Sequence, residues 1–166
     1  MFIFKAAFCR IYQLAFRVAL PVLPYRVPKI IPSCEEIGKA LEKEKVSSVI
    51  IVTDKGITNN GLTKAVEDAL TQSGARFVVY DKTQPNPTVT NVEEALKLYN
   101  ENNCGGIIAI GGGSAMDCAK AVGVRVAYPK KSIGQLKGVI KVLRRLPLIV
   151  AIPTTSGRSC TNMRHQ

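Results

Sequence analysis

The sequence predicts an α/β fold in which a Rossmann-like parallel sheet is layered with helices. Short apolar runs of strand length alternate along the chain with segments whose apolar residues recur at helical spacing, and this alternation is typical of parallel βα units. The apolar run at 107–110 lies between glycines, as expected of a strand that is buried on both faces. With 166 residues, 46% of them hydrophobic, the chain is long enough to bury the core of one such domain.

The predicted strands and helices of the α/β domain, assigned to residues 32–157, alternate in order. Four apolar runs predict strands: 46–53, 75–80, 107–110 and 148–152. Capping boxes predict three helix starts: Ser33 with Glu36, Thr90 with Glu93, and Ser114 with Asp117. A further helix over 62–70 is expected to end at Gly74, and another begins after Ser132 and carries a basic stripe, most simply a solvated face.

Residues 1–31 form a basic amphipathic N-terminal segment. Arg10, Gln13 and Arg17 share one helical face, and Pro21 ends the pattern. Charges interrupt the segment too often for a transmembrane span. Two interpretations stay open: a helix that lies on a membrane surface, and a helix packed on its own domain or on a partner subunit.

Charge and cysteine content restrict the class of protein further. The net charge is +11, and all 12 acidic residues lie between Glu35 and Asp117, so both flanks are basic. Basic flanks are typical of proteins that contact nucleic acid or an anionic membrane, and equally of proteins that contact acidic partner segments. Five cysteines without ligand or disulfide spacing predict reduced cytosolic thiols, and a single histidine, His165, excludes a His-rich metal site.

Three of the predicted strands end in residues that suit a ligand. Asp54 follows the strand at 46–53, the turn Gly111-Gly112-Gly113 follows the strand at 107–110, and Thr154 and Thr155 follow the last strand. In a parallel sheet these ends share one edge, which is where ligands bind. Glycines let the backbone approach a ligand closely, and a helix N-terminus attracts anions, so the turn predicts a pyrophosphate site.

Simpler interpretations of the same residues stay open. The glycine turn does not have G-x-G-x-x-G spacing, and a tight turn without a ligand would look the same. No Gly-Lys-Ser/Thr sequence closes the turn, so nucleotide binding is favoured over hydrolysis. A carboxylate at Asp54 can accept both hydroxyls of a ribose and would repel a 2′-phosphate, which favours NAD over NADP, but an aspartate that only caps a loop is equally compatible.

Four motifs, taken together, resemble the amino-terminal part of the iron-containing (group III) alcohol dehydrogenases. They are residues 52–55 (VTDK), residues 85–88 (PNPT), the run from Gly111 through Ser114 and Asp117 to Lys120, and residues 153–157 (PTTSG). The similarity extends from about residue 30 to residue 157 and implies the Rossmann-like, dehydroquinate synthase-like amino-terminal domain of that family. Two prolines enclose Asn86 within the second motif and predict an extended backbone there.

The resemblance implies a role for each motif in binding NAD. Asp54 would bind the adenosine ribose, and Asn86 would lie near the adenine. Gly113 and Ser114, in the turn that begins at Gly111 and Gly112, would hold the pyrophosphate. The remaining implied cofactor contacts are Asp117, near the nicotinamide half, and Thr154 and Thr155.

The family pattern stops at residue 157, and residues 158–166 are interpreted as an aberrant tail of unrelated or out-of-frame sequence. The family's second, helical domain carries an aspartate and three histidines that bind a divalent metal, iron or zinc, and that domain is expected to be absent. We therefore assign no catalytic residue and no metal ligand. The chain is interpreted as truncated.

The function expected from the resemblance is the cofactor-binding part of an NAD-dependent, metal-dependent alcohol dehydrogenase. Such an enzyme oxidises an alcohol to an aldehyde or ketone, with the metal as a Lewis acid and hydride passing to NAD. We expect no turnover from this chain alone, a cytoplasmic location, and homo-oligomers through uncovered apolar surface. The alternative is a non-enzymatic basic module for nucleic acid or a membrane surface. It has no recognisable nucleic-acid motif, and aromatic residues make up only 6% of the chain, so no specific nucleic acid is expected.

Overall fold

A computed structural model describes Arg10 and residues 33–136 and 144–154. The chain divides into two units, Met1–Ile30 and Ile31–Gln166, and every described residue except Arg10 belongs to the second. The predictions for the N-terminal segment, for most of the basic stripe after Ser132, for Thr155 and for residues 158–166 lie outside the described residues.

Four parallel strands form the sheet, as the sequence predicts. They are β1 (Ser48–Val52), β2 (Arg76–Tyr80), β3 (Gly106–Gly111) and β4 (Leu148–Pro153), in the order β2-β1-β3-β4. Val52 of β1 pairs with Tyr80 of β2 and with Ala109 of β3, and Gly111 pairs with Pro153 of β4. The two central strands are buried along their whole length, whereas β2 begins with an exposed Arg76.

Six helices are described between and beside these strands. They are α1 (Glu36–Lys43), α2 (Lys55–Asn59), α3 (Lys64–Gln72), α4 (Val89–Glu101), α5 (Gly113–Ala127) and α6 (Ile133–Leu136). The helix predicted over 62–70 corresponds to α3, and Gly74 follows its end with a φ of 72°, the left-handed conformation that glycine adopts most readily.

The two faces of the sheet carry different helices. Ile50 and Val52 of β1 contact α4 and α5, whereas Val49 and Ile51 contact α1 and α3. Successive side chains of a strand point to opposite faces, so β1 contributes to both cores. The helix that follows β1 toward β2 and the helix that follows β3 toward β4 therefore lie on opposite faces. The strand order changes direction between β1 and β3, and the region at the carboxyl ends of these two strands, called the crevice below, is where open α/β sheets bind ligands.

All three predicted capping boxes are wrong, and two of them concern α1 and α4. Helix α1 has Glu35 as its N-cap, with no side chain bonded to the cap. Helix α4 begins two residues before the predicted start, because Thr88 accepts from the backbone N–H of Asn91 and the Asn91 side chain accepts from the N–H of Thr88. Glu93 instead forms a bidentate ion pair with Arg125. Nε of Arg125 donates to Oε1 at 2.7 Å, and Nη2 donates to Oε2 at 3.2 Å.

The thiols are only partly as predicted. Cys104 and Cys118 are free and buried, and burial raises the pKa of both thiols. Cys34 is disulfide-bonded, so the expectation of a reduced thiol is wrong for that residue. No helix within the described residues is long and apolar enough to cross a membrane.

Candidate functional site

The glycine turn lies at the centre of the crevice and joins β3 to α5. Gly111 has a φ of 143°, a conformation that other residues rarely adopt. A Cβ atom at Gly111 would lie 3.1 Å from the Cβ of Ala115 and 3.6 Å from Oδ2 of Asp54. Backbone conformation and crowding therefore both favour glycine here, and Asp54 lies beside the turn, as the sequence predicts from the shared sheet edge.

Helix α5 begins two residues earlier than a Ser114 N-cap requires. Its N-cap is Gly112, which has an extended backbone and no side-chain cap, and Ser114 is already the second helical residue. The predicted capping box of Ser114 with Asp117 is therefore wrong, and Asp117 forms an exposed ion pair with Lys120 at 3.2 Å instead. Because the N-cap is a glycine, no capping side chain covers the first backbone N–H groups of α5. Such N–H groups at a helix N-terminus can bind an anion.

Gly113 is the first residue of α5, and the protein's own packing does not require a glycine there. Its φ is not in the left-handed region, and an added Cβ atom would meet nothing within 4 Å. The residue is exposed at the mouth of the crevice. In the interior of a helix glycine costs about 0.5–1 kcal/mol of stability relative to alanine, so helix propensity does not favour glycine over alanine here either. Folding alone therefore gives no reason for this glycine, whereas a ligand that contacts the backbone does.

Asp54 has one oxygen in a structural role and the other near the crevice. It is the N-cap of α2, where its Oδ1 accepts from the backbone N–H of Ile57 at 3.1 Å. The interpretation of Asp54 as a capping residue is thus confirmed, and it does not exclude ligand binding, because Oδ2 lies on the side of Gly111.

Two threonines fix the ends of neighbouring strands around the turn. The backbone N–H of Thr154 donates to the carbonyl of Gly111 at 3.1 Å, which brings Thr154 to the turn as predicted. Thr53 is fully buried, and its hydroxyl donates to the carbonyl of Ile110 at 2.8 Å, which ties the end of β1 to the end of β3. Sequence reasoning missed Thr53, although a threonine that ends an otherwise apolar strand is a usable signal.

Asn86 lies in an exposed turn, and its predicted extended backbone is wrong. Its φ is 59°, a left-handed conformation that asparagine tolerates better than most residues. The segment that leads to it lies beside Asp54, because Asp54 forms a backbone bridge with Lys82 and the N–H of Thr83 donates to the carbonyl of Thr53 at 3.3 Å.

A buried polar network lies beneath this turn, and sequence reasoning missed it. Asn91 bonds to Tyr80, to Lys82 and to Thr88, and the Tyr80 hydroxyl donates to Glu94 at 3.0 Å. Burial raises the pKa of Tyr80 to about 12, opposed by the hydrogen bond from Asn91 and reinforced by Glu94, so its hydroxyl stays protonated at neutral pH. The described residues contain no group of three histidine, cysteine or acidic side chains able to hold a metal ion.

The sequence profile of the iron-containing alcohol dehydrogenases matches residues 31–163. Alcohol dehydrogenase 4 of Schizosaccharomyces pombe is 38% identical over 144 residues, which are 84% of this chain and 34% of that protein. The NAD-dependent methanol dehydrogenase of Bacillus methanolicus is 34% identical over 123 residues, covering 74% of this chain and 32% of that protein. The crystal structure of a 1,3-propanediol oxidoreductase superposes with a TM-score of 0.72 at 29% identity, over 80% of this chain and 35% of that chain.

The chain belongs to the iron-containing alcohol dehydrogenase family. The fold class and the resemblance given by the four motifs are thereby confirmed. The chain spans about a third of the length of the relatives it matches.

Proposed function

We propose that this chain supplies the NAD-binding part of an NAD-dependent, metal-dependent alcohol dehydrogenase. The crevice between β1 and β3 would hold the cofactor, with its diphosphate against the amides of Gly113 and Ser114. The substrates would be small alcohols and aldehydes, as the names of the relatives suggest, and hydride would pass to the nicotinamide. Iron or zinc would act as a Lewis acid in that chemistry, and we assign none of the described residues to the metal.

The other residues of the crevice have distinct roles in this proposal. Oδ2 of Asp54 accepts from a hydroxyl of the adenosine ribose, and its charge disfavours the 2′-phosphate of NADP. Asn86 lies on the adenine side, and Asp117 lies toward the nicotinamide half. Thr154 and Thr155 contact the cofactor from the β4 side.

The observation that carries the proposal is the open space at Gly113. A diphosphate that lies against the helix N-terminus needs the volume that a side chain would occupy. Substitution of Gly113 with alanine therefore separates folding from binding. The folded chain has room for the methyl group, but the methyl group would occupy the volume that a bound diphosphate needs.

The experiment is calorimetric titration of the chain and its Gly113→Ala variant with NAD. We expect the variant to melt at the same temperature as the unmodified chain or slightly above it, because alanine is the better helix former. We expect its affinity for NAD to fall by at least about tenfold, the result of losing more than one phosphate hydrogen bond. Gly134→Ala is the matched control, because an added Cβ there meets only the Ser132 hydroxyl, at 4.0 Å.

A second variant, Asp54→Asn, tests the ribose contact without removing the helix cap. Asparagine is as good an N-cap as aspartate, so α2 is expected to remain intact. This variant should bind NAD more weakly than the unmodified chain does. The ratio of its affinities for NAD and NADP should also be smaller, because no carboxylate repels the 2′-phosphate of NADP. Unchanged NAD affinity in Gly113→Ala, or no NAD binding by the unmodified chain, would contradict the proposed function.

A further inference from the structure

Among the buried polar side chains in the described part of the chain, Asn91 makes the most hydrogen bonds, and it is not among the residues assigned to the crevice. It is the third residue of α4 and is 6% exposed. Its Nδ2 donates to the carbonyl of Lys82 at 3.1 Å and to the hydroxyl of Tyr80 at 3.2 Å. Its Oδ1 accepts from both the N–H and the hydroxyl of Thr88, each at 3.1 Å. A buried amide with all these contacts holds its neighbours firmly.

These contacts fasten both ends of the loop that carries Asn86. Lys82 stands at the start of the loop and Thr88 at its end, and one side chain binds both. Between them, Pro85 and Pro87 restrict the backbone on either side of Asn86. The loop therefore has little freedom to turn Asn86 away from its left-handed conformation.

Tyr80 favours the same orientation of the Asn91 amide as the two loop contacts do. The Tyr80 hydroxyl donates to Oε2 of Glu94 at 3.0 Å, so toward Asn91 it acts as an acceptor. Only the NH₂ group of Asn91 can donate to it, which leaves the amide oxygen for Thr88. The carbonyl of Lys82 and the N–H of Thr88 already require this same orientation, so Tyr80 adds to it and the loop contacts do not depend on it.

We infer that Asn91 is a positioning residue for cofactor recognition, which acts by holding Asn86 toward the adenosine half of the cofactor without touching the cofactor itself. The inference rests on the proposed function. It is supported by the start of the loop, which lies against the end of β1 through the bridge of Lys82 with Asp54. A single buried amide thereby links the loop after β2 to the ribose-binding side of the crevice.

The experiment is a double-mutant cycle of Asn86→Ala and Asn91→Ala, with NAD and AMP as calorimetric probes. Each single substitution should lower the affinity for both NAD and AMP by about fivefold to tenfold, the effect of losing one hydrogen bond. If Asn91 acts through Asn86, the double variant binds no more weakly than the weaker single variant. A purely structural role would make the two losses multiply.

Two further variants separate positioning from folding. Tyr80→Phe removes one bond of Asn91 and keeps both loop contacts, so it should retain NAD affinity within about twofold. Asn91→Asp keeps the acceptor oxygens that cap α4 and removes the donor to Lys82, and its charge suits a helix N-terminus. This variant is expected to fold and to show the same loss of affinity as Asn91→Ala.

The outcomes distinguish a failure of the proposed function from a failure of the inference about Asn91. If the unmodified chain does not bind NAD or AMP, the proposed function fails, and the inference fails with it. If the unmodified chain binds but Asn91→Asp binds equally well, or the losses in the cycle multiply, the inference alone is overturned.

Discussion

Tyr80 shows at the residue scale how a buried group makes stability depend on pH. Its side chain is 2% exposed, and burial raises its pKa from the ordinary value of 10.0 to about 12. In the unfolded chain the phenol ionises near its ordinary pKa. Between pH 10 and about 12 unfolding therefore releases a proton, so a rise in pH favours the unfolded state.

We expect the contribution of Tyr80 to stability to be complete below pH 10 and to disappear as the pH rises toward 12. A pKa raised from 10.0 to about 12 corresponds to about 2–3 kcal/mol of free energy of unfolding. Urea denaturation of the chain and of Tyr80→Phe at pH 9, 10, 11 and 12 measures the difference in free energy of unfolding. Burial also raises the pKa of Tyr99, so the difference between the two proteins, and not the stability of either, is the relevant quantity. A difference that is constant across this range would contradict the prediction.

Gly111 and Gly113 lie in the same turn, but glycine is favoured at these two positions for different reasons. At Gly111 the backbone conformation and the neighbouring atoms favour glycine, so its presence is explained by the fold. At Gly113 neither condition holds, so its presence favours a ligand. The sequence alone does not separate these cases, because the distinction depends on φ and on what lies around the missing Cβ atom.

At the scale of elements, α1 and α3 pack closely because Gly38 faces Ser73. A Cβ atom at Gly38 would lie 2.6 Å from the Cβ of Ser73, closer than packed atoms allow. The two helices would have to separate to admit a methyl group.

We expect Gly38→Ala to destabilise the chain by about 1–2 kcal/mol, because overpacking costs more than the roughly 1 kcal/mol that alanine gains as a helix former. Thermal and urea denaturation measure this loss. Adding Ser73→Gly should restore most of it by removing the opposing Cβ atom, although the bond from the Ser73 hydroxyl to Leu70 is lost. Gly113→Ala serves as the control for helix propensity. Equal stability of Gly38→Ala and the unmodified chain would show that the helices separate without cost.

The strands were predictable from sequence, whereas the helix starts and the buried network were not. Strands buried on both faces leave a run of apolar residues, as at 107–110 within β3. A capping box is a short pattern with Glu or Gln at its fourth position, and Thr90 with Glu93 matches it better than the true pair, Thr88 with Asn91. The structure selects Thr88 because Asn91 is also needed by Tyr80, a contact between different elements that no local pattern reveals.

On the scale of the whole molecule, the crevice depends on residues that are far apart in the chain. Asp54, Gly111 and Thr154 meet because parallel strands place their carboxyl ends on one edge and the order β2-β1-β3-β4 makes β1 and β3 neighbours. This convergence was predictable from the alternation of strands and helices. The face of the sheet on which each helix lies was not predicted, because the apolar pattern of a helix shows which residues are buried but not against which face they pack.

The net charge of +11 keeps the alternative of a basic binding module open to test. Binding to nucleic acid should weaken steeply with salt, because each neutralised phosphate releases counterions. We expect NAD affinity to change by less than about threefold between 50 and 200 mM salt, because few charges are involved. Calorimetry with NAD, and fluorescence anisotropy with a labelled single-stranded oligonucleotide, measure the two responses in the same buffers. Tight oligonucleotide binding at the higher salt, without NAD binding, would favour the basic module.

The loop held by Asn91 has a consequence for the thermodynamics of recognition. Because both of its ends are fastened in the folded chain, the entropy lost in ordering residues 82–88 belongs to folding and not to the encounter with a ligand. On the proposed function, a nucleotide would meet a loop whose shape is already set, and discrimination among nucleotides would rest on fit instead of rearrangement.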